Sequence, residues 1–230
     1  MRWEAIEEVN IYGTRHTLDR VHDLLYGVVL RGQDPGMPLN LLEIRPGVIF
    51  SAEKFQISAF PVEHRGSSSL GYVFEEFSHR PFMADVAEEL NIPPGPWRKD
   101  LVQGKAITLQ DGRIISPDMV LGEARPGTKL AVVGDVGKPF KLIEYLRDAD
   151  AIVTEATYLS EEAEMAQQFG HSTAEESALL AKEAGAKMLI LNHVSRRYRD
   201  EAILAEAQAI FPNTYLAADF DSFQIKADNA

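Results

Sequence analysis

From Lys129 to the C-terminus, short apolar runs alternate with stretches of helical period, and this alternation constrains the fold more than any other feature of the chain. Lys129–Val133, Ala151–Thr154 and Lys187–Leu191 are rich in Val, Ile and Leu, as strands buried on both faces are. Around them Lys138–Arg147, Ser160–Phe169, Thr173–Ala184 and Asp200–Ile210 read as helices, with late strands at Tyr215–Ala217 and Phe223–Ile225. Strands that alternate with helices fold as α/β layers, the helices packed on the sheet faces.

The first half is less regular. Val9–Tyr12 reads as a strand ended by Gly13, and Thr14 can cap a helix running to about Leu30, with Leu18, Val21, Leu25 and Val28 apolar. Leu39–Ile44, Phe55–Val62 and Leu70–Phe74 read as strands, the last two separated by Gly66-Ser67-Ser68-Ser69. From Glu75 to about Gly127 the chain changes character and holds Pro81, Pro93, Pro94, Pro96, Pro117 and Pro126. A helix is expected near Met83–Leu90 and a hairpin around Asp111-Gly112. This stretch is either an excursion on the main domain or an arm.

With 230 residues, 45% of them hydrophobic, the chain can bury one large core or two small ones. It has no cysteine, so any metal must sit on His and carboxylate groups, and a reducing cytoplasm is the expected compartment. Met1-Arg2-Trp3-Glu4-Ala5 leads into charge rather than an apolar run, so neither a leader nor a membrane span is expected. A net charge of −12 counts against a general nucleic-acid binder, and no DNA partner is expected, although a local basic patch can still hold phosphate.

Chemistry gathers where strands end, the place where α/β sheets bind ligands. The strand through Val62 and Glu63 ends at His64, the strand through Gly134 at Asp135, and the strand through Asn192 at His193. Two imidazoles and a carboxylate suit zinc. Singly, each would be an ordinary hydrogen-bonded residue; three at equivalent places favour a metal. Ala151–Thr154 ends at Glu155, and His171 stands in Gly170-His171-Ser172-Thr173 before a helix. His171 is either part of that capping loop or a proton donor held by Glu155. Ser195-Arg196-Arg197-Tyr198-Arg199 follows His193; it is either a solvated charge run or a phosphate grip.

Taken together these blocks resemble ribonuclease Z, a tRNA 3′-processing family of the metallo-β-lactamase superfamily. The matching blocks are His64 before Gly71-Tyr72, Gly134-Asp135-Val136, Thr154-Glu155-Ala156-Thr157, His171-Ser172-Thr173 and Leu191-Asn192-His193-Val194-Ser195-Arg196-Arg197-Tyr198. Ile92-Pro93-Pro94-Gly95-Pro96 and Asp111-Gly112 resemble the family's arm. The resemblance implies an α/β metallo-β-lactamase-type αβ/βα sandwich over residues 1–230 with a Pro-rich exosite arm at 75–104. It implies two zinc ions, with His64 on one, Asp135 bridging and His193 on the other. His171, supported by Glu155, would assist proton transfer to the leaving oxygen. Ser195, Arg196 and Tyr198 would meet the phosphate and RNA, and Arg98 and Lys99, the arm's only adjacent basic pair, would meet the RNA too. The implied partner is precursor tRNA and the implied assembly a homodimer.

The sequence departs from the family pattern in three places. Val136 stands for the usual Thr and Thr154 for the usual His. The His-x-His-x-Asp-His block is absent, and His16 and His22, on a predicted helix, do not replace it. An N-terminally incomplete fold is therefore expected, with weak zinc binding, little activity of these residues alone, and exposed apolar surface near Val9–Tyr12 and Leu39–Ile44. The alternatives are a small phosphodiester or sulfate-ester hydrolase of the same fold, and a non-catalytic dimerising or RNA-binding homologue.

Overall fold

The computed structural model describes residues 6–227; Met1–Ala5, on which the reading of no leader rests, lies outside them. The described residues form two compact units, one from the segment ending at Glu75 together with Thr128–Lys226, the other from Glu76–Gly127.

The first unit is built on a seven-stranded sheet. Its strands are β3 (Gly47–Ser51), β4 (Phe55–His64), β5 (Ser67–Glu76), β8 (Lys129–Val132), β9 (Ala151–Glu155), β10 (Leu189–Asn192) and β11 (Thr214–Leu216), in the order β11-β10-β9-β8-β5-β4-β3. β8 to β11 run parallel. β5 joins them antiparallel to β8, and β3 pairs antiparallel with β4. The Gly66–Ser69 stretch proves shorter as a break than the sequence suggests. Only Arg65 and Gly66 turn the chain, with φ of 47° and 71°, the positive pair a tight two-residue hairpin requires.

The core lies between this sheet and helices α4 (Ile143–Leu146), α6 (Ala174–Glu183) and α7 (Asp200–Gln208). Ala174, Ala178 and Ala181 are fully buried on α6, and their small side chains let that helix sit close to the strands. Thr173 starts α6 with a reciprocal capping box, its hydroxyl accepting from Glu176 N–H while the Glu176 carboxylate accepts from Thr173 N–H. The expected helix 138–147 opens instead as a 3-10 turn, Pro139–Leu142, and is α-helical only over Ile143–Leu146. A 3-10 turn at Ser160–Glu162 likewise precedes α5 (Ala163–Phe169). Phe223–Ile225 forms no strand.

β1 (Val9–Gly13) and β2 (Leu39–Glu43) make a separate parallel pair. Between them the expected single helix splits into α1 (Arg15–His22) and a wide-turned π-helical stretch, Asp23–Val29, in which Leu30 N–H reaches back to Leu25 C=O. As expected, apolar surface is exposed here, at Tyr12 and Leu42 and, on the π-helical stretch, at Leu24, Val28 and Val29.

The second unit has its own small core of Ala87, Ile92, Leu101, Ile107, Ile115 and Val120. It holds α2 (Ala84–Glu89), α3 (Pro96–Val102) and the hairpin β6 (Ile107–Thr108) with β7 (Ile114–Ile115), the last around Asp111-Gly112 as the sequence predicts. α3 is missed by the sequence reading; Pro96 at its first turn is an acceptable first residue. The unit continues past 104 to Gly127, and its two ends meet: no Cβ on Gly127 would fit against the Glu76 main chain.

Candidate metal centre

The site forms at the ends of β4, β8, β9 and β10. His64 closes β4. Its Nδ1 is 2.7 Å from the carbonyl oxygen of Gly170, so Nδ1–H donates and Nε2 keeps a free lone pair. That approach depends on Gly170. It ends α5 with φ of 71°, and a Cβ there would lie 2.9 Å from Arg65 Cγ. Arg65 fastens the same corner, with Nε donating to Phe169 C=O at 2.6 Å and its guanidinium 5.5 Å from the Phe169 ring centre.

Asp135 stands just beyond β8 and faces two imidazoles at once. Oδ2 is 3.9 Å from His64 Nε2, and Oδ1 is 3.6 Å from His193 Nε2. Donors about 2.1 Å from one tetrahedral ion are separated by about 3.4 Å. The geometry therefore fits a carboxylate shared between ions held by the two His. His171 joins them: ligand atoms of His64, Asp135 and His171 lie within 4.8 Å of one another. The His171 ring centre is 5.0 Å from that of His64 and 5.4 Å from that of His193.

Glu155 ends β9, fully buried; it accepts from Val136 N–H at 2.6 Å, pairs with His171 Nδ1 at 2.9 Å and touches the Thr157 hydroxyl. Burial pushes its carboxyl up to about 7, against the lowering pull of the Thr157 and Val136 hydrogen bonds. Burial also lowers the His171 imidazole, with the neighbouring Asp135 pulling the other way. Both shifts disfavour the charged form of the group concerned. Beside the site, Glu63 faces the Lys138 and Lys141 ammonium groups, which hold its carboxyl down to about 2. Gly137 N–H also donates to Glu63 C=O at 2.8 Å, tying the Asp135 loop to β4.

The remaining sequence-selected residues divide. Ser195 N–H donates to Thr157 C=O at 3.2 Å, and Arg196 is exposed just beyond. The Tyr198 hydroxyl donates to Glu162, which also takes Arg197 Nη1 at 2.8 Å. Arg98 and Lys99 lie in the second unit, on α3. There Arg98 donates from Nε and Nη2 to Ile92 C=O at 3.3 and 2.9 Å, while Lys99 is exposed. Three contributors went unread: His171 as a member of the ligand cluster, the Gly170 carbonyl and the Thr157 hydroxyl. Thr157 lies within a block the sequence singles out; a backbone carbonyl leaves no mark in a sequence.

A cavity of about 820 Å³ adjoins the cluster, lined by His64 and Asp135 and, from α1, by His16, Thr17 and Arg20.

No protein-family model matches the chain. Among curated proteins it is 41% identical to ribonuclease Z of Bradyrhizobium diazoefficiens over 218 residues, covering 95% of this chain and 72% of that protein. It is 37% identical to ribonuclease Z of Archaeoglobus fulgidus over 231 residues, covering 99% and 74%. Among solved structures it matches the short form of human tRNase Z at 20% identity with a TM-score of 0.53, over 97% of this chain and 70% of that one. The metallo-β-lactamase fold protein YhfI of Bacillus subtilis matches at 15% identity with a TM-score of 0.58, over 92% and 62%. The last two establish the fold.

Proposed function

The chain belongs to the ribonuclease Z family, and on that premise we propose that it is a zinc-dependent endoribonuclease removing the 3′ trailer from precursor tRNA. The observation that carries the reading is Asp135 set between His64 and His193, with the buried Glu155–His171 pair against the same cluster.

His64, Asp135 and His193 are the residues to hold the metal, with His171 beside His64 and Asp135. Zinc bound there supplies a Lewis acid toward the phosphodiester and a nucleophile at neutral pH. The chain's own residues do the rest. Glu155 fixes the His171 ring through Nδ1, which leaves Nε2 to pass a proton to the leaving oxygen. Ser195 and Arg196 follow His193 after Val194, and the exposed Arg196 guanidinium can meet a phosphate in two parallel hydrogen bonds. Tyr198 would flank the RNA from the same loop. The second unit, with 75–104 as its first part, is the arm that grips tRNA, with Lys99 and the remaining donor of Arg98 offered to its backbone. A homodimer and a cytoplasmic location complete the reading; the absence of cysteine suits a reducing compartment, and no described helix is long and apolar enough to cross a membrane.

The test exploits the adjoining ends of the arm. Replacing residues 76–127 by a short linker should abolish cleavage of precursor tRNA while zinc content, measured by mass spectrometry, and hydrolysis of bis(p-nitrophenyl) phosphate stay as in the parent chain. If precursor-tRNA cleavage survives the excision, or if the parent hydrolyses only the small ester, the substrate is a small phosphodiester and the tRNA reading fails.

A further inference from the structure

The polypeptide of His193 is held in a left-handed conformation, φ 51°, which is uncommon for a non-glycine residue. Thr157 is what faces it. The Thr157 hydroxyl lies 2.9 Å from the His193 carbonyl oxygen, and Thr157 itself is buried. Two main-chain bonds run alongside, Ala156 N–H to Asn192 C=O at 3.0 Å and Ser195 N–H to Thr157 C=O at 3.2 Å. These fix the residues on either side of His193, but neither touches the carbonyl of His193 itself. β10 ends at Asn192, so the sheet ladder does not reach that peptide. The hydroxyl also contacts Glu155. It has one proton, and the 2.9 Å contact takes that proton to the His193 carbonyl, beside the Glu155 carboxyl.

We propose that Thr157 is the positioning residue for His193: by donating to the His193 carbonyl, its hydroxyl holds the left-handed turn that aims the imidazole Nε2 at Asp135. The inference rests on reading His193 as a metal ligand. If Thr157 served only the Glu155 carboxyl, its loss would be felt at His171 and not at His193.

The test uses the chain with zinc as the probe, in competition with a chromogenic chelator, and compares Thr157→Val, Thr157→Ser, His193→Ala and the double variant Thr157→Val/His193→Ala. Thr157→Val keeps the shape and removes the donor. It should weaken zinc binding about tenfold, and Thr157→Ser should recover to within about threefold of the parent, the scale on which outer hydrogen-bond partners act. In the His193→Ala background Thr157→Val should add nothing. Parent-like affinity in Thr157→Val, or a full further loss in the double variant, overturns the proposal. A His193→Ala chain that binds zinc like the parent instead removes His193 from the ligand set, and the underlying reading falls on that result alone. The positioning claim is then decided without metal, from the backbone chemical shifts of His193. Thr157→Val should move them away from the left-handed signature and Thr157→Ser should restore them; unchanged shifts in Thr157→Val overturn it.

Discussion

Alanine at Gly71 tests how tightly the strands that carry His64 are packed. Gly71 lies on β5, across from the β4 residue Phe60. A Cβ there would press on Phe60 Cε2 and Cζ and come within 3.1 Å of Cε1. Ordinary carbon contacts are about 3.5–4.0 Å, so the ring must retreat by about 1 Å. It has nowhere easy to go. Phe60 is 2% exposed, and its ring stacks on Tyr145 with centres 5.1 Å apart and planes 11° from parallel. Overpacking of this kind costs about 1–3 kcal/mol, and the 3–5 kcal/mol for losing a buried Phe outright sets the ceiling. We therefore expect Gly71→Ala to destabilise the chain by about 2–3 kcal/mol, which for a chain of this size lowers Tm by about 4–12 °C. Urea unfolding and calorimetry measure it. A second substitution, Phe60→Leu, vacates the overlap, and the double variant should be at least about 1 kcal/mol more stable than the sum of the singles. A Gly71→Ala chain within about 0.5 kcal/mol of the parent, or strict additivity in the cycle, would refute this account of the packing.

Three further outcomes are expected. Glu155→Gln removes the carboxyl that faces His171 Nδ1 and can no longer steady a protonated imidazole; cleavage should fall at least about 100-fold, and unchanged His171 nitrogen shifts would show the reasoning to be wrong. Thr173→Ala removes one half of the capping box and should cost about 1 kcal/mol, lowering Tm by about 2–4 °C; no change in calorimetry means the α6 cap is idle. Glu63, held down to about 2 from an ordinary 4.5 by Lys138 and Lys141, should titrate by NMR near that value. Because the folded value lies below the unfolded one, its ion group contributes above about pH 4.5 and is lost as pH falls through 2. Replacing both lysines by Met should return the midpoint toward 4.5, and a parent midpoint already there rejects the ion group.

Much of the fold was legible because period and punctuation carry it. The parallel strands β8 to β10 and helices α6 and α7 follow from apolar runs and caps, and the β6–β7 hairpin from Asp111-Gly112. What the sequence hid is set by long-range packing. β3 carries Gly47 and Pro46 at its entrance and becomes a strand only by pairing with β4. The split of the first helix into α1 and a wide-turned stretch has no sequence punctuation beyond Gly27. Within the site, His64, Asp135 and His193 could be picked out because each ends a strand. The same argument could not decide between a loop residue and a proton carrier for His171; what the structure adds is a 2.9 Å contact with a buried carboxyl. Arg197 and Tyr198 looked equivalent to Arg196 on paper, yet Glu162 engages the first two and leaves Arg196 outside.

The pairing of β8, β9 and β10 matches Val132 with Val153 and Asn192 with Glu155, so Asp135, Glu155 and His193 emerge side by side from three aligned tips. Sliding any one of these strands by a single residue would swing its terminal group to the opposite face. On the proposed ligand assignment, capture of an ion tallies only those molecules whose central strands are in step. During refolding, uptake of metal would serve as a stopwatch for completion of that alignment, separate from any signal that follows collapse or helix content.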